Sequence, residues 1–212
     1  MNGITESKTE KYIYSLLPAR DAVMREMERY AQKHGTPIIG PACGRLLYQL
    51  ARLIRARRIF EMGSAIGYST LWLARAAGPG SRVFYTDGDP ANARRAEGYL
   101  RRAGVLDRVR VLTGDALDLL DATEGEFDLV FNDVSKTQYP EVFRRAVSRV
   151  RVGGLFITDN VLWSGRVAKK VRRGDAETLA IQRFNRLLYR SPNLWTTVIP
   201  LRDGFAVCER LK

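Results

Sequence analysis

Four residues near the middle of the chain are of types that can do chemistry together. Asp133 and Lys136 stand three apart after the apolar run FDLVFN, and Asp159-Asn160 close the next apolar run, GLFIT. A strand-helix-strand unit fits between the two pairs, so two carboxylates, an amide and an amine are expected at neighbouring strand ends. Oxygen donors of this kind suit a hard divalent cation such as magnesium or calcium. A cation with open positions can polarise a substrate hydroxyl while a nearby lysine takes its proton. Either pair alone is an ordinary polar strand end, and it is their coincidence with a glycine-rich loop upstream that gives them meaning.

That loop reads Glu61-Met62-Gly63-Ser64-Ala65-Ile66-Gly67-Tyr68-Ser69 and leads from an apolar run into a helical pattern. Gly63 and Gly67 let the backbone turn tightly beside a ligand, and Ser69 lies near a helix N-terminus whose free amides favour a carboxylate. Asp87 ends the following apolar run, where an acid can accept hydrogen bonds from ribose hydroxyls. Together these features describe a nucleoside-cofactor site. The glycine spacing is GxxxG, which differs from the GxGxxG of a dinucleotide site, so NAD is the rival and not the first reading.

The elements that must position these groups are legible in the pattern. RRIFEM, SRVFYTD, RVRVLTGD, FDLVFND and GLFITDN are five short apolar or alternating runs, each closing on an acid. Between them lie the helical segments GYSTLWLARAAG, PANARRAEGYLRRAG, ALDLLDA and TQYPEVFRRAVSRV. Alternation of this sort implies right-handed crossovers and a parallel sheet covered on both faces. Helices are predicted after Pro18 and from Pro41 to Ile54 ahead of the sheet, with a last helix at Asp175 to Tyr189 and a terminal hairpin, LWTTVIPL and GFAVCER. The expected fold is α/β, a doubly wound, mostly parallel seven-stranded sheet with added N-terminal helices and a C-terminal antiparallel hairpin. It is expected to form one domain over residues 1–212. Ligands of open sheets bind beyond the carboxyl ends of the strands, where Glu61, Asp87, Asp115, Asp133 and Asp159 all fall.

Composition narrows the classes. The chain of 212 residues is 45% hydrophobic and 27% charged, ordinary for a globular protein with a sizeable core. Neither a membrane-spanning apolar run nor a signal-peptide core is present, so a cytoplasmic protein is expected. Cys43 and Cys208 lack metal-ligand spacing, and His34, the single histidine, sits in a polar helix-end segment. A thiolate zinc site and a histidine-based hydrolase are therefore poor readings. The formal charge of +12 favours phosphates, nucleic acid or another anionic partner.

The motifs and their order resemble the class I S-adenosylmethionine-dependent O-methyltransferases of the catechol and caffeoyl-CoA type, in their bacterial branch. EMGSAIGYS is similar to that family's first cofactor motif, DGDP to its ribose-acid motif and LTGDA to its adenine-side motif. NDVSK is similar to its metal and base motif, and TDNVLW to its second metal motif. The resemblance implies that Glu61 and Gly63 border the methionine part of S-adenosylmethionine, that Ser69 meets its carboxylate and that Asp87 binds the ribose. Asp115 and Ala116 would flank the adenine, Asp133, Asp159 and Asn160 would hold magnesium or another divalent cation, and Lys136 would be the general base, with Asp133 beside it in catalysis. The chain departs from the usual pattern at Ser135, where a second acid is common, and at Asn132, where an apolar residue is common.

The acceptor is left open between two chemistries. Arg166 to Arg173 holds five basic residues and no acid directly after the second metal motif, and such a run attracts phosphates. The N-terminal stretch YIYSLLPARDAVMREMERYAQKHGTPI is similar to that of family members that methylate 5-hydroxyuridine in tRNA. A tRNA acceptor is thus the first expectation, and a small catechol-like phenol, offering the same pair of adjacent oxygens, is the alternative. Tyr12, Leu16, Leu17, Met24 and Met27 suggest a homodimer, as in the family. A non-catalytic nucleotide- or RNA-binding protein, or an NAD-dependent oxidoreductase, is the reading from a different class.

Overall fold

The computed structural model describes Ile4 and residues 6–212. Seven strands form one sheet in the order β3-β2-β1-β4-β5-β7-β6. β1 (Arg58–Met62), β2 (Arg82–Asp87), β3 (Val109–Thr113), β4 (Phe127–Asn132) and β5 (Val150–Thr158) are parallel, as their helical crossovers require. β6 (Leu194–Ile199) and β7 (Phe205–Arg210) form the hairpin, and β7 inserts antiparallel beside β5. β5 begins four residues before the apolar motif that predicts it, because Val150 pairs with Phe127 across a register shift.

The strands are apolar on both faces, and alternate residues feed two cores. Ile59, Leu129, Phe131, Leu155 and Ile157 pack on one face, and Phe60, Val130 and Phe156 on the other. The first core is covered by α2 (Ala22–His34), α3 (Gly40–Leu53), α4 (Tyr68–Ala77) and α5 (Pro90–Arg102), through residues such as Met27, Leu47, Leu71 and Leu100. The second is covered by α6 (Ala116–Ala122), α7 (Tyr139–Ala146) and α8 (Ala176–Arg190), through Leu120, Val142 and Phe184. Asp21 caps α2 by accepting from the amides of Val23 and Met24, and Gly35 ends it at φ 67°.

Two features depart from the sequence reading. A helix precedes the one predicted after Pro18, at Ser7–Ser15, here α1. Met24 and Met27 are buried in the chain's own core, so neither faces a second subunit, whereas Tyr12 and Leu16 are exposed.

Candidate active site

The central strands place the site by register. Met62 of β1 pairs with Asn132 of β4, and Asn132 pairs with Thr158 of β5. The next residue in each strand is therefore Gly63, Asp133 and Asp159, side by side at the carboxyl edge. The direction of winding reverses between β1 and β4, which is the crevice where open α/β sheets bind ligands.

Gly63 joins the cofactor loop to the Asp133 turn. Its φ is +81°, and a Cβ there would lie 2.6 Å from the Asp133 carbonyl oxygen. No larger residue allows that approach without displacing backbone. Below it, the Asp133 amide donates to Met62 O at 2.8 Å. Ser64 lies in the loop and Ser69 in the first turn of α4, both buried. Glu61 is enclosed beneath the loop, accepts a hydrogen bond from Thr70 Oγ1, and leaves Oε1 without a partner. Burial pushes its carboxyl up to about 7, opposed by the hydroxyls of Ser69, Thr70 and Ser64.

A cavity of about 440 Å³ lies over this edge, walled by Ser69, Asp87, Asn92, Asp133, Lys136, Asp159, Asn160, Trp163 and Arg202 among others. A smaller cavity of about 200 Å³ shares Gly63, Asp87, Val134 and Ser135 with it and reaches Asp115, Ala116 and Gln138. The predicted groups other than Glu61 thus line one continuous cleft. Asp87 already accepts from the Ala65 amide at 2.9 Å and from Asn92 Nδ2 at 3.1 Å, which holds its carboxylate beside the loop. Asp115 is the N-cap of α6, accepting from the Leu117 amide at 2.8 Å, while Gln138 Nε2 donates to its other oxygen at 3.2 Å.

On the β4-β5 side, Lys136 Nζ donates to Asp133 Oδ1 at 2.7 Å and to Val134 O at 3.3 Å. The amine is nearly enclosed and lies 5.2 Å from the Tyr139 ring centre and 5.9 Å from that of Trp163. Asp159 Oδ1 accepts from the Asn160 amide at 2.7 Å, and Tyr139 Oη donates to Asp159 O at 2.8 Å. Asn160 adopts φ 58°, a conformation its short amide tolerates, and its Nδ2 donates to Asp203 Oδ2 at 3.4 Å. That contact turns the amide oxygen away from Asp203.

These features have close counterparts. The sequence pattern of the O-methyltransferase family matches residues 16–211. The chain belongs to that family. It is 31% identical over 218 residues to a catechol O-methyltransferase of Niastella koreensis, covering 98% of both chains. It is 39% identical over 170 residues to a catechol O-methyltransferase of Mycobacterium tuberculosis, covering 77% of this chain and 76% of that one. Among solved structures, the O-methyltransferase TomG of Streptomyces achromogenes, in complex with S-adenosylmethionine, superposes with a TM-score of 0.87 at 31% identity, covering 97% and 96% of the two chains. The chain is accordingly a class I S-adenosylmethionine-dependent O-methyltransferase of the catechol and caffeoyl-CoA type.

The donor set of this methyltransferase suits a hard cation. Asp159 is 1% exposed, and its Oδ2 is a buried oxygen with no hydrogen-bond partner among the described residues. Burial and then the charge of Asp133 push the Asp159 carboxyl up to about 7, against the pull of Arg202, the Asn160 amide and Lys136. Burial likewise raises Asp133, with Lys136 opposing. A divalent cation would relieve both carboxylates at once. Among the described residues no cluster of three or more His, Cys, Asp or Glu side chains forms a metal group. The candidate set is two acids and an amide, which leaves positions open.

Trp163 opens the segment that follows the second metal motif, and it lines the cavity. Trp163 and Ser164 take φ values of 48° and 52°, held where Asp203 accepts a hydrogen bond from the Ser164 amide. Sequence reasoning missed Arg202 in the wall and Asp203 beside it, which lie between LWTTVIPL and GFAVCER where the pattern marks only a hairpin connection, and the Thr36, Pro37, Ile38 and Ile39 side of the cavity carries no chemical signal at all. Asn132 is buried, donates to Thr158 Oγ1 at 3.5 Å and leaves Oδ1 unpaired. Ser135 lies at the mouth of both cavities.

Proposed function

We propose that the enzyme methylates one of two adjacent oxygens on a small catechol-like acceptor, with magnesium or a similar divalent cation. The observation that carries this reading is the convergence of Asp133, Lys136, Asp159 and Asn160 with the cofactor loop around one cavity of about 440 Å³. Catechol is named in the description of two relatives, one matched over 98% of both chains and the other over 77% of this chain and 76% of its own. S-adenosylmethionine would supply the methyl group, and Asp133, Asp159 and Asn160 would hold the cation, whose charge would lower the pKa of an acceptor hydroxyl.

The chain's own residues do the rest. Gly63 and Ser69 hold the methionine end of the cofactor with Glu61 beneath them, Asp87 holds the ribose, and Asp115 and Ala116 border the adenine. Lys136 Nζ, as the unprotonated amine, would take the acceptor hydroxyl proton from a position set by Asp133 Oδ1 at 2.7 Å. Trp163 and Tyr139 exclude water around that amine. Alignment of this kind supplies roughly 7 to 11 kcal/mol in favourable cases.

A second reading, 5-hydroxyuridine in tRNA, is favoured by one surface. Lys169, Lys170, Arg172 and Arg173 are exposed beyond Trp163, and Arg166 pairs with Asp175 at 2.8 Å. A homodimer through the exposed Tyr12 and Leu16 belongs to the same proposal, with light scattering as its test. Transfer from labelled S-adenosylmethionine, with magnesium or EDTA, to a catechol panel and to tRNA carrying 5-hydroxyuridine tests both acceptors. Label in catechols that vanishes with EDTA supports the first reading. Label in tRNA alone replaces it with the second, and label unaffected by EDTA removes the metal.

A further inference from the structure

Arg202 is out of character for its position. It lies in the turn between β6 and β7 with φ 53°, a left-handed conformation that glycine adopts freely and a long side chain does not. The turn holds it there through backbone contacts, with the Ile4 amide donating to Arg202 O at 2.8 Å and the Gly204 amide to Leu201 O at 2.9 Å. The side chain is directed inward and is only 18% exposed. It joins Lys136, Trp163 and Glu177 on the side of the cavity away from the cofactor loop.

Its nearest acid is Asp159, whose Oδ2 lies 3.6 Å from Nη1, too far for a hydrogen bond. That same oxygen is buried without a hydrogen-bond partner and is the one free to hold a cation. Once a cation takes it, the guanidinium faces a second positive centre across the site. A guanidinium presents five donors in a plane and pairs best with a carboxylate or phosphate. An acceptor carrying its own negative group beside the chelating oxygens would satisfy those donors.

We propose that Arg202 determines acceptor specificity by binding a carboxylate on a vicinal-diol aromatic acceptor. The inference rests on the catechol reading above. One charge-assisted hydrogen bond discriminates by about 10- to 100-fold. The probes are 3,4-dihydroxybenzoate and 4-methylcatechol, which share the two hydroxyls and differ in the charged group. Arg202→Gly suits the left-handed backbone and is expected to fold.

The ratio of kcat/KM for the acid over the neutral catechol should favour the acid by about 10-fold or more in the parent enzyme. In Arg202→Gly that ratio should fall toward one, through KM for the acid, and Arg202→Lys should recover part of it. Equilibrium binding of the two probes, followed by tryptophan fluorescence with S-adenosylhomocysteine and magnesium present, should show the same ratios as dissociation constants. An unchanged ratio in the glycine variant overturns the inference and leaves Arg202 as a counter-charge to Asp159. If neither probe is methylated, the catechol reading fails, and the binding ratio in parent and variant still decides for or against Arg202. A parent enzyme that binds both probes equally, or neither, also overturns it.

Discussion

Replacing Glu61 by glutamine should change how the stability of this methyltransferase depends on pH. Glu61 is fully buried at the end of β1, and its carboxyl is raised to about 7 by desolvation. An unfolded glutamate titrates near 4.3. The folded state therefore binds this proton more tightly than the unfolded state, so stability falls as pH rises from about 4.3 to about 7 and is flat beyond. Integrated from pH 5 to pH 8.5, the loss through this one group is about 2 to 3 kcal/mol. Glutamine is nearly the same size, keeps an acceptor for Thr70 and carries no proton to lose. The variant should gain about 2 to 3 kcal/mol on the parent across that range, whatever its constant offset at pH 5, and the difference in midpoint should widen by roughly 5 to 10 °C. The assay is thermal and urea unfolding of both proteins, free of metal and cofactor, at pH 5, 7 and 8.5. Taking the difference between the two proteins cancels the titration of Asp159 and Asp133. Parallel curves, within about 0.5 kcal/mol, would refute the reasoning and mean that Glu61 is solvated when the cofactor is absent.

Three further outcomes follow from the geometry. Lys136→Ala should lower turnover by about 10²- to 10⁴-fold, the usual worth of a positioned base, while calorimetry shows S-adenosylmethionine affinity within about twofold of the parent; equal turnover would remove Lys136 from proton transfer. Asp203→Ala removes the acceptor that orients the Asn160 amide, and titration with manganese should show cation affinity lower by about 10- to 100-fold. Gly63→Ala would set a Cβ 2.6 Å from the Asp133 carbonyl oxygen at φ +81°. Urea unfolding should show it destabilised by about 1 to 3 kcal/mol, and retained parent stability would mean that the two loops separate at little cost.

Much of this protein can be read along the chain because its signals are local. Each parallel strand is an apolar run closed by an acid, and each crossover helix carries its own cap or period. The alternation of the two leaves few sheet topologies. Asp133, Lys136, Asp159 and Asn160 stand out because strand ends at the switch point are where such a sheet binds ligands. The GxxxG turn and Asp87 are legible for the same reason.

What local pattern cannot carry is the meeting of segments distant in sequence. The pattern marks no helix ahead of Pro18, yet α1 forms there and packs near α3. Met24 and Met27 have the spacing of an apolar helix stripe that suits a core or a second subunit, and they are core because α2 packs on α5 within the chain. Asp115 reads as a ligand-binding acid and spends one oxygen on capping α6. Arg202 and Asp203 read as turn residues until β7 pairs beside β5 and carries their turn to Asp159 and Asn160. The chain alone determined the order of strands and helices and the types of groups along the binding edge, since propensity and periodicity act within a few residues. Only the tertiary structure decided which charges face one another across the cavity, because burial and electrostatic coupling depend on distance in space and not along the chain.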